Sequence, residues 1–318
     1  MAIPVVDLAS IINHSNEDDR KKAVNEFGKA CLEFGFLRII NHGLPGELIT
    51  SSREVTEKFF DAPIDEKLEC KPVSSILPAG YGKMNGSFGC NEWLMVCQPA
   101  LGFNVFPSTV PHLRETLEEV YMYLQNLGTM VENMVNDYLG LPNSFLNQFN
   151  DDRSKDVLMC WRYPPVAADD SNKIGREEHQ DTNCFTFLLQ DDAGGLEYEK
   201  DGSWIPVPPL EGSLVVNVGS TIQALTNKKL VAARHRVWKP EGRTRHSLAF
   251  FYNIGSEKWI EPLPKFTDEI GEAPKYKGFI YKELLEARLK KERNPHTLRE
   301  EVLNLEHFAI PVDDCNYC

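Results

Sequence analysis

Basic residues are scarce in this chain of 318: 34 Lys and Arg stand against 47 Asp and Glu, a formal charge of −13. Binding a polyanion draws on a basic field that releases counterions, so nucleic acid is a poor partner for such a chain. Long apolar runs are missing as well. No stretch approaches the roughly 20 apolar residues that a bilayer span requires, and Met1-Ala-Ile-Pro-Val-Val-Asp7 has neither the basic region nor the apolar core of a secretory leader. A soluble, cytoplasmic protein with no membrane partner is expected. Cysteine is sparse too: the eight thiols, at 31, 70, 90, 97, 160, 184, 315 and 318, are too few and too unevenly spaced for a disulfide framework. Cys315-Asn-Tyr-Cys318 is a CxxC, but no second pair accompanies it, so neither zinc nor redox chemistry is expected there.

What remains is ordinary globular material, 42% apolar and 25% charged, enough to bury a substantial core. The length suits about two domains or one enlarged barrel or sandwich. Ile3–Leu8 reads as a short strand. From Glu17 to Phe34, the apolar residues Val24, Phe27, Cys31 and Phe34 recur at helical spacing, and Gly35 stops the run. A strand over Phe36–Ile40, a turn over Asn41–Pro45 and a helix over Glu47–Phe60 follow. Pro72–Phe106, rich in Gly, Pro and Ser with no sustained period, is expected to be an extended loop region. Leu113, Leu117, Val120, Leu124, Leu127, Val131, Met134 and Val135 then mark the longest amphipathic helix, over His112–Leu139.

After Pro142 the pattern changes to short β-branched and aromatic runs: Val157–Tyr163, Asn183–Leu189, Leu196–Glu199, Trp204–Val207, Ser213–Val218, His235–Trp238 and Ser247–Asn253. Turn-forming separators such as Asp192-Ala-Gly-Gly195 and Lys200-Asp-Gly-Ser203 divide them. This density of strands indicates a sandwich or jelly roll. A final helix over Tyr276–Glu292 and a strand or ordered tail over Leu303–Pro311 are expected. The corresponding divisions are an N-terminal region 1–110, a linking helix 111–150, a β unit 151–260 and a C-terminal helix and tail 261–318.

Within the β unit, His179-Gln-Asp181 places an imidazole and a carboxylate on one face of a strand. Eight histidines and 47 acids would yield about 1.2 such pairs by chance, so the pair alone says little. His235 follows 56 residues later at the start of another strand-like run. Two imidazoles and one carboxylate suit non-haem Fe(II) with open positions, and zinc also accepts that set. Arg245-His-Ser247 adds a guanidinium fork and a hydroxyl at i and i+2, a match for a carboxylate.

Taken together, these residues resemble the plant-type 2-oxoglutarate/Fe(II)-dependent dioxygenases. The likeness runs from Ile3-Pro-Val-Val-Asp-Leu8 and Gly35-Phe-Leu-Arg-Ile-Ile-Asn-His-Gly-Leu-Pro45 through Tyr163-Pro-Pro165, His179-Gln-Asp181, Gly195-Leu-Glu-Tyr198, Asp201-Gly-Ser-Trp204, Val215-Val-Asn-Val-Gly219, His235-Arg236 and Arg245-His-Ser247 to Phe250-Phe-Tyr-Asn253. It implies a mainly β fold with α, a distorted double-stranded β-helix (jelly roll) with N- and C-terminal helices packed on it. It also implies Fe(II) held by His179, Asp181 and His235, and 2-oxoglutarate held by Arg245, Ser247 and Tyr163, with O₂ as cosubstrate and ascorbate as reductant. His42 and His246 are expected to be structural. Two positions depart from the pattern: Trp161 stands where many members carry Asn, and Ser220 where many carry Asp.

For the substrate, the likeness points to Phe251 as a stacking residue, with Tyr81, Met84, Phe88, Phe103 and Met159 as further pocket walls. Such a wall favours a small planar aromatic molecule, and soluble flavone synthases, which oxidise flavanones, are the most similar type. Auxin and gibberellin oxidation stay open. An aminocyclopropane carboxylate oxidase is disfavoured because that group carries Lys at the position of Met159. A jelly-roll binding protein without catalysis is a further alternative. The protein is expected to work as a monomer.

Overall fold

The computed structural model describes residues 3–14, 16–72, 79–84, 91–149, 153–166, 173–293 and 303–311. In chain order the elements are β1 (Val5–Asp7), α1 (Ala9–Ile12), α2 (Glu17–Glu33), β2 (Phe36–Ile40), α3 (Gly46–Asp61), α4 (Ile64–Leu68), β3 (Gly80–Lys83), β4 (Glu92–Cys97), α5 (Leu113–Leu139), β5 (Val157–Tyr163) and β6 (Ile174–His179). They continue as β7 (Phe185–Gln190), β8 (Leu196–Lys200), β9 (Ser203–Pro206), β10 (Ser213–Val218), α6 (Ser220–Leu225), β11 (His235–Trp238), β12 (Arg245–Tyr252), β13 (Trp259–Ile260), β14 (Phe279–Ile280) and α7 (Tyr281–Arg293).

The strands form a large sheet, in the order β1-β2-β10-β7-β12-β5-β4-β3, and a smaller one, β6-β11-β8-β9. Together they make the double-stranded β-helix. Register separates the large sheet into two chemistries. The row Leu37, Val216, Phe187, Phe250, Leu158 and Val96 belongs to the main core, which also takes in buried residues of α2, α3 and α5. Phe250 meets Tyr121 of α5 edge to face, with ring centroids 5.1 Å apart. One residue along, the pleat reverses: the row Val215, Leu188, Ala249 and Met159 faces the other way.

Local chemistry explains the ends of the helices that support this sheet. The Asn16 side chain accepts a bond from the Asp19 amide at the N-terminus of α2, whose first turn carries Glu17, Asp18 and Asp19. Gly35 ends the segment at φ +62°, and a Cβ there would lie 1.9 Å from the Val231 carbonyl oxygen. Only glycine allows both the reversal and the approach that lets β2 enter the sheet. No helix among the described residues is long and apolar enough to cross a membrane.

Several expectations need correction. Pro72–Phe106 is not an extended loop throughout: β3 and β4 lie within it and complete one edge of the large sheet. The charged run Ile174–His179, which shows no clean alternation, is a strand, and Ser220–Leu225 is a short helix. The last helix starts at Tyr281 rather than Tyr276; Tyr276 bridges to Ala309 instead. Leu303–Pro311 holds a single 3₁₀ turn over Leu305–Phe308. Described cysteines 31, 70, 97, 160 and 184 are free and buried, and Cys315–Cys318 lies outside the described residues.

Candidate active site

Between the two sheets opens a cleft of roughly 540 Å³, its open mouth included. His179 ends β6, Asp181 follows two residues later, and His235 opens β11, directly paired with His179 across the smaller sheet. One potential ligand atom from each of these three residues lies within 4.8 Å of the others. His179 Nε2 is 3.4 Å from Asp181 Oδ1, and His235 Nε2 is 3.7 Å from Asp181 Oδ2.

The backbone sets the orientation of both rings. His179 Nδ1 lies 2.7 Å from the Glu177 carbonyl oxygen and His235 Nδ1 lies 3.3 Å from that of Ala233. A carbonyl only accepts, so the proton sits on Nδ1 and the Nε2 lone pair points at the cluster. Asp181 is oriented from the large sheet: Thr186 Oγ1 and Asn217 Nδ2 both donate to its Oδ2, at 2.7 and 2.9 Å. The main chain helps, since the Ser220 amide donates to the Asp181 carbonyl and the Gly219 amide to that of Cys184. A Cβ on Gly219 would fall 1.9 Å from the Asn183 carbonyl oxygen.

At the other end of the cleft, Arg245 on β12 is 1% exposed, directly across from Tyr163 on β5. Its Nε donates to the Gly194 carbonyl at 2.7 Å and its Nη1 to Ser247 Oγ at 3.1 Å. Its Nη2 is buried with no hydrogen-bond acceptor among the described residues. The guanidinium lies 5.0 Å from the Tyr163 ring centroid. Burial raises the Tyr163 hydroxyl above its ordinary pKa, while the positive charges of Arg245 and Arg176 pull it back. This phenol therefore stays protonated and can donate. Arg245, Ser247 and Tyr163, all able to donate, thus line the same cleft as three groups that could hold a metal ion.

Residues 144–254 match the 2OG-Fe(II) oxygenase superfamily, and residues 3–91 match the N-terminal region described as that of a non-haem dioxygenase in morphine synthesis. A flavonol synthase/flavanone 3-hydroxylase from Eustoma exaltatum subsp. russellianum is 30% identical over 88% of this chain and 86% of its own length. The chain belongs to the 2OG-Fe(II) oxygenase superfamily. It is an enzyme of that family, with Fe(II), 2-oxoglutarate and O₂ as its cofactor and cosubstrates. This oxygenase is also 34% identical to jasmonate-induced oxygenase 1 of Arabidopsis thaliana over 82% of the chain, which spans 66% of that relative. The solved structure of JOX2 in complex with 2OG, Fe and JA superposes with a TM-score of 0.79 at 26% identity, covering 98% of this chain and 90% of that one.

The expected substrate walls separate. Phe251 lines the cleft of the oxygenase. Met159 is buried beside Trp161 on the same face of β5, and half-buried Met84 packs against that cluster. Tyr81 packs elsewhere: its ring meets Phe59 of α3 and its hydroxyl donates to Glu92 Oε1 at 2.5 Å, on the helix side of the sheet. Phe103 is 43% exposed after a 3₁₀ turn and is not among the described residues that line the cleft. Phe88 lies outside the described residues. The reading of the sequence did not single out Thr186 or Arg176. Asn217 was visible only as part of Val215–Gly219.

Proposed function

We propose that His179, Asp181 and His235 hold Fe(II), that Arg245, Ser247 and Tyr163 bind the distal carboxylate of 2-oxoglutarate, and that the enzyme desaturates or hydroxylates a small planar aromatic substrate. Conversion of a flavanone to a flavone is the first specific reaction to test. The observation that carries the reading is the buried Arg245, whose Nη2 has no acceptor among the described residues, in the same cleft as the His-Asp-His cluster. Bound iron, 2-oxoglutarate and O₂ together supply an oxidant able to remove hydrogen from an unactivated C–H bond.

The chain's own residues do the rest. Thr186 and Asn217 occupy Asp181 Oδ2 and so orient the carboxylate toward the two imidazoles. Leu188, Leu196, Val237 and Ala249 line the cleft with apolar surface that excludes water, and Trp161 and Phe251 offer aromatic faces to a planar ligand. The flavonol synthase relative supports the flavanone reading. A second reading, an aromatic acid of the auxin kind, is favoured by the presence of Arg176 in the cleft lining. We place catalysis in a unit spanning 151–260 of a cytoplasmic monomer.

The test is turnover by purified protein with Fe(II) and ascorbate. Succinate should form from 2-oxoglutarate in step with a product 2 mass units lighter or 16 heavier than the flavanone, and His235→Ala should abolish both. Ethylene released from aminocyclopropane carboxylate without 2-oxoglutarate would overturn the reading.

A further inference from the structure

The three metal-binding groups all come from the β unit, yet one wall beside them does not. Phe36 opens β2, in the N-terminal region, and lines the cleft at 1% exposure. In register it pairs with Asn217 of β10, which pairs with Thr186 of β7, which in turn pairs with Phe251 of β12. Residues directly opposite one another across a sheet share a face. Asp181 is therefore held by the two polar members of a row that phenylalanines flank on either side.

Phe36 also reaches the smaller sheet. Its ring stacks on that of Tyr198, with centroids 5.2 Å apart and planes 9° apart, and meets the His235 imidazole at 5.4 Å and 55°. Tyr198 is fully buried and is the β8 partner of His235. The imidazole thus has two constraints. The Ala233 carbonyl oxygen lies 3.3 Å from Nδ1, and the Phe36 ring, backed by Tyr198, packs against one side. The lead-in to His235 leans on the same N-terminal segment: the Val231 amide donates to the Cys31 carbonyl at 3.2 Å, and a Cβ on Gly35 would lie 3.2 Å from the Ala233 nitrogen.

We infer that Phe36 is a positioning residue for the metal centre: wedged between Tyr198 and His235, its ring fixes the tilt at which the His235 Nε2 lone pair meets the ion. The inference rests on the reading of His179, Asp181 and His235 as the Fe(II) ligands. Rotation of a histidine ring about its last torsion is soft, with broad minima, and one long contact at Nδ1 leaves it loose. A rigid ring packed against the imidazole removes that freedom before the ion arrives, so the ligand is ordered in advance. The N-terminal region then belongs to the metal centre and is more than a support for the sheet.

The test is equilibrium titration of full-length protein with Fe(II) under anaerobic conditions and with Co(II), whose visible absorption reports ligand geometry. Phe36→Leu should weaken binding of both metals by about tenfold or more and alter the Co(II) bands. Tyr198→Leu, which removes the backing ring, should act in the same direction. Tyr198→Phe keeps that ring and loses only a hydroxyl with no hydrogen-bond partner among the described residues, so it should match wild type. Phe59→Leu is the control for stability alone: Phe59 is fully buried in α3, against Tyr81 on the helix side of the sheet, and its variant should unfold more easily yet keep wild-type metal affinity and spectrum. The inference is overturned if Phe36→Leu keeps wild-type affinity and spectrum, if Tyr198→Phe loses as much affinity as Tyr198→Leu, or if Phe59→Leu weakens metal binding as much as Phe36→Leu. Should Phe36→Leu fail to fold, Tyr198→Leu decides in the same way. Those results leave the ligand assignment standing. Failure of the unaltered protein to bind either metal, or unchanged binding in His235→Ala, would overturn that assignment instead.

Discussion

A partly buried and a fully buried arginine near opposite ends of β12 show how the same side chain serves two purposes. Arg153 lies 3.3 Å from the Tyr252 ring centroid, donates from Nε to Asp156 at 3.0 Å, and comes within 3.7 Å of Glu132. Asp156 is tied down further by the Asn253 amide and by Gln125, and the Tyr252 hydroxyl donates to Glu132. Arg245 is more deeply buried, yet among the described residues no carboxylate pairs with it and its Nη2 has no acceptor. A buried charge is tolerable when its own chain supplies the counter-charge, as at Arg153. Where the chain withholds it, the missing anion is expected from outside.

The largest effect should come from closing off the first case. Arg153→Met leaves Asp156 and Glu132 buried without their cation and should cost about 3–5 kcal/mol in denaturant unfolding, while the folded fraction still binds 2-oxoglutarate normally. A loss below about 1 kcal/mol would mean the cluster is not structural. Next in size is the support of Asp181. Thr186→Val or Asn217→Ala should weaken Fe(II) binding by about 10- to 100-fold, measured by equilibrium metal titration, with little change in 2-oxoglutarate recognition at Arg245.

A pH effect sharpens the contrast further. Burial pushes the Asp156 carboxyl up to about 6 even though Arg153 opposes the shift. Because its folded-state pKa is raised, its stabilising contribution is full below the unfolded value and is lost as pH rises through about 6. Wild-type stability relative to Asp156→Asn should therefore fall between about pH 4 and 7, and a flat difference would contradict the assignment. Smallest of all should be the stability change in Arg245→Met. Removing a buried charge that has no carboxylate partner should shift unfolding by less than about 1 kcal/mol, or raise it.

Much of the architecture was legible because strands covered on both faces read as continuous apolar runs. Val157–Tyr163 and Ser213–Val218 coincide with β5 and β10 in this way, and the alternating His235–Trp238 coincides with β11. β6 was not legible, because its pairing with β11 shifts register twice and its sequence shows no period of two on which strand reading depends. The same register shifts hid Arg176, whose place in the cleft lining follows from long-range pairing rather than from spacing along the chain. Thr186 was invisible for a similar reason: it reaches Asp181 only through the fold of the large sheet. Aromatic character likewise does not reveal which face of β3 Tyr81 takes; its ring packs on Phe59. α6, six residues long, is too short to show a helical period.

Calorimetric titration of the anaerobic Fe(II)-loaded protein with 2-oxoglutarate, comparing wild type with Arg245→Met, tests the central claim most directly. Wild type should bind one equivalent, and the variant, equally stable, should bind at least a hundredfold more weakly, a difference of about 2.7 kcal/mol. Equal affinity in the two proteins would contradict the assignment of Arg245 as the anchor of the cosubstrate.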